Sequence, residues 1–535
     1  MEAHTHEINT DAGDPSGGGS RLEFSGVYNA AVFFIDRHLP EGRGGKVAIR
    51  TTDGEQVTYA ELAGRVNRCG NALLTLGLRR GERMVMVVKD CPEFFYLFWG
   101  AIKAGIVPVP VNTMLRSADY QYVLEDSQAA AMAYSPEFAA EAEPAIEQAR
   151  PAPAHKLPVE GAPGSVRGLM AAASPELEAV PTSPEDDCLW LYSSGSTGSP
   201  KGAVHVHKSI PMTCQYYPVE VLGLTETDVT FSSAKLFFAY GLGNAMTFPL
   251  YVGASTVLAA ERPTPASLFA AIEKFRPTIF FSVPTLYAGQ LKLLETESPD
   301  VSSLRVCTSA GEALPPELFS RWKEKTGVII LEAMGTTEAL HVFISNRFDA
   351  FKPGYTGLIV PGFEGKIVNE DGGEAPRGEA GEMWVRARTG LRLYWNKPEK
   401  TAATLKGDGW LSTGDTMIQD EEGFYLFHGR NDDMLKVGGI WCSPAEIEAR
   451  LIEHPKVLES GVVGRADEHG LIKPEAWVVL KNATDANEAM EQELREHCKT
   501  GLAPYKYPRW FRFVEDLPKT ATGKIQRFML RKGEV

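Results

Sequence analysis

The segment Ser193-Ser194-Gly195-Ser196-Thr197-Gly198-Ser199-Pro200-Lys201-Gly202 concentrates glycine and hydroxyl side chains and carries a single lysine near its end. Glycine lets successive backbone N–H groups turn toward one point, the hydroxyls add short-range donors and Lys201 adds charge, which together make a cradle for phosphate oxygens. The apolar run Cys188-Leu189-Trp190-Leu191-Tyr192 just before it predicts a buried strand. The loop is therefore expected at a strand's carboxyl end, where α/β sheets bind ligands. A flexible linker seldom follows a buried strand or finishes in Pro-Lys-Gly. Nor is this the P-loop of kinases and GTPases, because Pro200 stands where that motif needs its second glycine.

The elements that must position the loop alternate along the chain. Between residues 47 and 134, Thr58 and Glu61 form a capping-box pattern at a helix start, and apolar runs at 84–88 and 106–111 predict buried strands around a helix at 93–104. Residues 136–184, rich in Ala, Pro and Glu, predict a surface connection. Strand signals recur at 231–234, 254–258, 278–283 and 304–309, with a helix at Pro265–Phe275. From 354 to 388, short strands with Gly-rich turns predict a small β-barrel or sheet. The charged cluster Arg430-Asn431-Asp432-Asp433-Met434-Leu435-Lys436 marks a boundary, followed by helices at Pro444–Ile452 and 489–499 and strands at 459–463, 475–480 and 510–514. The expectation is an α/β protein: a large N-terminal domain (21–431) of two αβ-layered sheets plus a small β-barrel subdomain, then an α+β domain (432–535). Residues 1–20, polar and without periodicity, predict a disordered tail.

With 54 basic and 69 acidic residues the net charge is −15, which argues against nucleic acid or an anionic membrane surface as the main partner. An anionic substrate must be held by local charges. The cysteines are scattered and odd in number, without metal-type pairing, so free thiols in a reducing cytoplasm are expected. No apolar run approaches the roughly 18 residues of a membrane span, so no membrane insertion is expected.

The loop at 193–202 resembles the phosphate loop of the adenylate-forming superfamily, which includes acyl- and aryl-CoA ligases. Four more segments match that family in order: Met334-Gly335-Thr336-Thr337-Glu338, Gly409-Trp410-Leu411-Ser412-Thr413-Gly414-Asp415, the stretch from Gly429-Arg430 to Gly439, and Pro518-Lys519-Thr520-Ala521-Thr522-Gly523-Lys524-Ile525-Gln526-Arg527. The resemblance implies that a carboxylic acid is joined to ATP as an acyl-adenylate and then transferred to coenzyme A. It implies that Lys524 spans the two anions of the first step, that Glu338 is the Mg2+-associated carboxylate, and that Thr337 contacts phosphate. Asp415 and Arg430 match ribose-binding residues, while Ser309-Ala310-Gly311-Glu312-Ala313, Gly335 and Thr336 match the AMP site. Asp432 falls at the hinge of a mobile C-terminal domain, Lys436, Gly438 and Gly439 edge a pantetheine tunnel, and Lys506 faces CoA phosphates.

The acid is narrowed by charge. A peptide-synthetase pocket must neutralise an α-ammonium, yet Phe237-Phe238-Ala239-Tyr240-Gly241-Leu242-Gly243 holds no acid, and burying an unpaired ammonium costs several kcal/mol. Phe238, Ala239, Tyr240, Ala310, Gly335 and His341 are expected to wall an aromatic slot, with Gly335 leaving room. Lys235 through Ala245 and Ala503 through Arg509 resemble benzoate–CoA ligases, so benzoate is the expected acid. Substituted benzoates, short, branched or cyclic aliphatic acids, and loading of a carrier protein remain as alternatives, as does a homodimer beside a monomer.

Overall fold

The computed structural model describes residues 6–11, 20–161, 164–193, 200–431, 433–437, 440–468, 471–519 and 525–533. Two parallel sheets form its first half. The smaller holds Val107–Pro110, Arg83–Val87, Ala131–Tyr134 and His155–Pro158, in that spatial order and all parallel. In the larger, nine-stranded sheet the run Ile330–Gly335, Val306–Ser309, Ile279–Ser282, Val229–Ser232, Ser255–Leu258 and Val47–Thr51 is parallel, with antiparallel strands added at both edges.

The local signals explain how these layers close. Thr58 caps the helix Tyr59–Thr75 in a reciprocal box with Glu61, an arrangement that stabilises a helix start by about 1 kcal/mol. The helix Pro92–Lys103 is buried at every position, as a helix apolar on all sides must be, and packs against Tyr59–Thr75. The sequence boundaries of the strands and of Pro265–Phe275 fall within a few residues of those observed.

Three expectations change. Residues 136–184 are not merely a surface connection: they contain the helix Ala139–Gln148 and the edge strand His155–Pro158, because Ala142, Ala145, Ile146 and Leu157 are buried. The disordered tail is too broad, since Ile8–Asp11 pairs antiparallel with Arg21–Phe24 and Ile8 packs on the core. The strand before the expected phosphate loop, Asp187–Ser193, does end at that loop, but it lies outside both parallel sheets, in a three-stranded antiparallel one. It turns back directly into Lys201–Val206, and so short a connection forces antiparallel pairing, with Ser193 opposite Lys201 and Leu393–Tyr394 adding a third strand. The expected phosphate loop thus connects the two strands of an antiparallel pair.

Beyond these layers, Phe363–Val368, Ala380–Ala387, Trp410–Gln419 and Tyr425–Arg430 form a four-stranded antiparallel sheet where the small barrel was expected. The C-terminal region has its own core. Val457–Ala466, Ile472–Leu480 and Trp510–Phe513 form a sheet against the helices Pro444–Ile452 and Glu488–Gly501, around Ile447, Leu451, Val462, Val478 and Leu494. All seven cysteines are buried and free, and among the described residues no helix is long and apolar enough to cross a membrane.

Candidate active site

The hairpin stem meets a second chemical element at Glu338. The strand Ile330–Gly335 ends in a single turn, Thr337–Ala339, whose cap is Thr336: its Oγ1 accepts from the Glu338 N–H at 3.1 Å and its hydroxyl donates back to the Glu338 carboxylate. Ser193 Oγ donates to Glu338 Oε1 at 3.2 Å and the Tyr394 hydroxyl to the same oxygen at 2.5 Å. Lys201 Nζ lies 4.5 Å from the centre of the Tyr394 ring. Burial pushes the Glu338 carboxyl upward, but the Thr336 and Tyr394 hydrogen bonds and the Lys201 charge outweigh it and hold the group below its ordinary range. Leu340, just beyond, adopts φ = 69°, a left-handed conformation costly for a branched residue and typical of sites where the surroundings dictate the backbone. The cluster is an ionised, all-oxygen anion site beside a lysine.

Asp415 and Arg430 sit opposite each other in the strand pair Trp410–Gln419 and Tyr425–Arg430. Arg430 Nη1 donates to Asp415 Oδ1 at 2.7 Å and to the Thr413 carbonyl at 3.1 Å, and Asp415 is 4 % exposed. In the loop after Val306–Ser309, Ala310 is buried while Gly311 and Ala313 are exposed, and Glu312 Oε2 accepts from Thr285 at 3.3 Å. The Arg527 guanidinium, from the C-terminal region, faces Glu312.

Glu332 lies beside this loop, opposite Ser309 in the sheet, and is 5 % exposed. Burial pushes its carboxyl up to about 8, with the Leu314 N–H acting the other way. Because the folded value stands above the unfolded 4.5, the folded chain holds a proton that the unfolded chain releases. Stability is therefore full below about pH 4.5 and falls by about 1.4 kcal/mol per unit up to about pH 8. Glu332→Gln is expected to remove this slope. In urea titrations the variant should exceed the wild type by a few kcal/mol at pH 8.5 and match it near pH 4. A difference independent of pH would mean that the carboxyl is ionised in the folded chain.

A narrow, largely apolar cavity is lined by Ile210, Thr213, Ala239, Leu242, Gly243, Thr247, Leu340 and His341. His341 Nε2 faces the Tyr240 carbonyl at 3.2 Å, and its ring centre lies 4.5 Å from Phe248, 5.5 Å from Tyr240 and 5.7 Å from Tyr217. Burial lowers its pKa to about 3, so the imidazole is neutral, and the carbonyl assigns the proton to Nε2.

Of the expected pocket walls, Ala239 and His341 line this cavity; Phe238, Tyr240, Ala310 and Gly335 do not. Phe238 packs on Phe237 with ring centres 4.4 Å apart, and the Tyr240 hydroxyl pairs with Thr308 Oγ1 at 2.8 Å. Gly335 does not leave open space: a Cβ there would come within 2.4 Å of the His341 carbonyl oxygen, so the glycine admits the backbone of 341. Gly243 has the same role toward the His341 ring, at 2.5 Å.

Lys506 Nζ, expected near CoA phosphates, is engaged by both oxygens of Glu446 at 2.6 Å. Ser194, Gly195, Ser196, Thr197, Gly198, Asp432, Gly438, Gly439, Lys524 and the side chain of Lys436 lie outside the described residues. The residues that sequence reasoning missed are Tyr394, at the carboxylate, and Ile210, Thr213 and Thr247, at the cavity. Their only signal is position in apolar stretches, which is the ordinary signature of a core.

The comparisons with known proteins agree with this geometry. Residues 36–395 match the family described as AMP-binding enzyme, and residues 446–524 match the AMP-binding enzyme C-terminal domain. The chain is 50% identical over 508 residues to the benzoate–CoA ligase of Thauera aromatica, covering 94% of this chain and 96% of that protein. The solved structure of the anthranilate CoA ligase AuaEII in complex with anthranoyl-AMP superimposes with a TM-score of 0.90 at 42% identity, over 95% of this chain and 98% of that one. A benzoate CoA ligase from Burkholderia xenovorans LB400 gives 0.86 at 43% identity, over 94% and 100%. With both regions matched and half of the aligned residues shared with a relative over nearly its whole length, this chain belongs to the AMP-binding enzymes of the adenylate-forming superfamily and, within it, to the acid–thiol ligases that use ATP and coenzyme A.

Proposed function

We propose that this protein is a benzoate–CoA ligase: benzoate and ATP form benzoyl-adenylate and pyrophosphate, and the thiol of coenzyme A then displaces AMP to give benzoyl-CoA. The observation that carries this reading is the cavity at Ala239 and His341, which has no charged side chain in its lining and includes Leu340, two residues beyond Glu338. A benzoate ring gains offset or edge contacts with the aromatic groups around His341, worth roughly 0.5 to 1.5 kcal/mol beyond burial. An α-ammonium would find no partner there.

In this assignment the hairpin of Asp187–Ser193 and Lys201–Val206 presents the phosphate loop to the β- and γ-phosphates. Asp415 accepts from the ribose hydroxyls, and its bond from Arg430 holds its carboxylate in place. The Glu338 carboxylate with the Ser193 and Thr336 hydroxyls offers the hard-oxygen donor set that Mg2+ prefers. Bound there with ATP, the ion supplies charge neutralisation on the phosphate oxygens. Lys524 is assigned to bridging the carboxylate and the α-phosphate, and Asp432 to the hinge between 21–431 and 432–535. The pairing of Lys506 with Glu446 supports a CoA role only if the ammonium is released when the thiol substrate binds.

The test is direct. With benzoate, ATP, Mg2+ and CoA the protein is expected to release AMP and benzoyl-CoA in equal amounts, read by chromatography. Absence of AMP across a panel of aromatic acids would reject the assignment. A second reading, 2-aminobenzoate as the preferred acid, draws on the likeness to AuaEII and on Thr213, Thr247 and His341 in the cavity lining. A kcat/KM for 2-aminobenzoate above that for benzoate would establish it.

A further inference from the structure

We propose that Asp126 is a positioning residue for ATP: it ties the first stem of the phosphate hairpin, at Tyr192, to the segment Tyr394–Lys397, which in turn bonds the second stem, and so holds the two stems in register with Glu338. The inference rests on the reading of that hairpin as the site of the ATP phosphates.

Asp126 lies near the end of the helix Ser117–Ser127, with its side chain 8 % exposed. A carboxylate so enclosed needs donors: besides Tyr122 on its own helix, at 3.5 Å, they come from the two sides of the site. Tyr192, the residue preceding Ser193 on the first stem, donates its hydroxyl to Asp126 Oδ2 at 2.7 Å. Lys397 Nζ donates to Oδ1 at 3.1 Å. The backbone carbonyl of Asp126 accepts from Trp395 Nε1 at 2.9 Å. One turn earlier on the same helix, Tyr122 donates to the carbonyl of Pro200, on the second stem, at 3.0 Å. The two stems are therefore held from one helix, at Tyr192 and at Pro200.

The segment after Leu393–Tyr394 closes the circuit. Trp395 N donates to the Gly202 carbonyl at 2.9 Å, its ring packs 4.7 Å from that of Trp190, and the neighbouring Tyr394 reaches both Glu338 and Lys201. Asp126 thus touches none of the groups assigned to phosphate or metal, yet Tyr192 directly precedes Ser193, and Trp395 directly follows Tyr394, which bonds Glu338. The hydrogen bond to Asp126 raises the pKa of the Lys397 ammonium, so its charge is kept through neutral pH.

Loss of this tie displaces the loop stems from Glu338 without touching the acid cavity, which is built from Ile210, Ala239 and His341. A displacement near 1 Å in such a site costs roughly tenfold to a hundredfold in rate. Asp126→Asn keeps the shape, removes the charge and leaves one acceptor oxygen. It is expected to raise KM for ATP about tenfold, with KM for benzoate and the conversion of preformed benzoyl-AMP to benzoyl-CoA close to wild type. Tyr122→Phe, which cuts the Pro200 tether and the longer 3.5 Å contact to Asp126 Oδ1 but leaves the Tyr192 and Lys397 bonds to Asp126, should give a smaller rise in KM for ATP alone.

Lys201→Ala serves as the control on the underlying reading. If Lys201→Ala raises KM for ATP while both other variants leave it unchanged, the inference about Asp126 is overturned and the hairpin reading stands. If Lys201→Ala also leaves ATP kinetics unchanged, the hairpin reading itself fails. Parallel rises in KM for ATP and benzoate, with a lowered melting midpoint, would make Asp126 a purely structural residue and overturn the proposal.

Discussion

Lys524→Ala is expected to slow adenylate formation at least a hundredfold while leaving the transfer of preformed benzoyl-AMP to coenzyme A near the wild-type rate. The reason is electrostatic. Carboxylate and α-phosphate are both anions, and their approach is opposed by Coulomb repulsion unless a cation lies between them. The second half-reaction joins a thiol to an already activated acyl group and has no such need. The stem that carries Lys524 is anchored independently of it: Lys519 bridges Ile525 in the backbone, Gln526 N donates to the Pro518 carbonyl at 2.8 Å, and Lys519 Nζ pairs with Glu459 at 2.6 Å. Arg527 adds a two-pronged bond to Glu448 at 2.6 and 2.8 Å and faces Glu312 across the AMP-site loop. Truncating the lysine therefore leaves these anchors on either side of it intact. Pyrophosphate exchange measures the first step and benzoyl-CoA formation from synthetic benzoyl-AMP the second. Equal loss in both would refute the division of labour, and unimpaired exchange would remove Lys524 from the chemistry.

What the sequence could reveal followed the range of the interaction responsible. The Thr58–Glu61 cap is decided within four residues, and the helix that it starts was legible from them. Asp415 and Arg430 are separated along the chain, but each sits in its own short motif, and the antiparallel register then sets them opposite one another. Tyr394 had no such marker. It belongs to a two-residue strand whose partner lies in the phosphate hairpin, and its bond to Glu338 is a contact between distant segments. The cavity lining failed for a related reason: Ile210, Thr213 and Thr247 are buried helix-face residues, and nothing local separates a face turned to a ligand from one turned to a core. Gly335 shows the opposite error. Its lack of a side chain was visible, but the His341 backbone that occupies the space was not.

Glu338→Gln is expected to reduce adenylation on the order of a hundredfold and to raise the Mg2+ concentration needed for half-maximal rate. The substitution preserves volume, so its effect isolates charge and hydrogen-bond direction. In the native site Oε1 accepts from Ser193 and Tyr394 and Oε2 from Thr336, an arrangement that only a carboxylate satisfies at every position. An amide accepts through one oxygen, so its NH2 must confront at least one hydroxyl that was donating, and Lys201 loses its counter-charge. The pH dependence follows the same logic. The folded pKa is depressed below the unfolded value of 4.5, so the stabilisation that these donors provide is present above pH 4.5 and is lost as pH falls through the folded value. The wild type should show no loss of activity from this group between pH 5 and 7, whereas the Gln variant should be uniformly impaired over that range. If the variant regained wild-type pyrophosphate exchange at any pH in that window, the ionised carboxylate would have no part in the reaction.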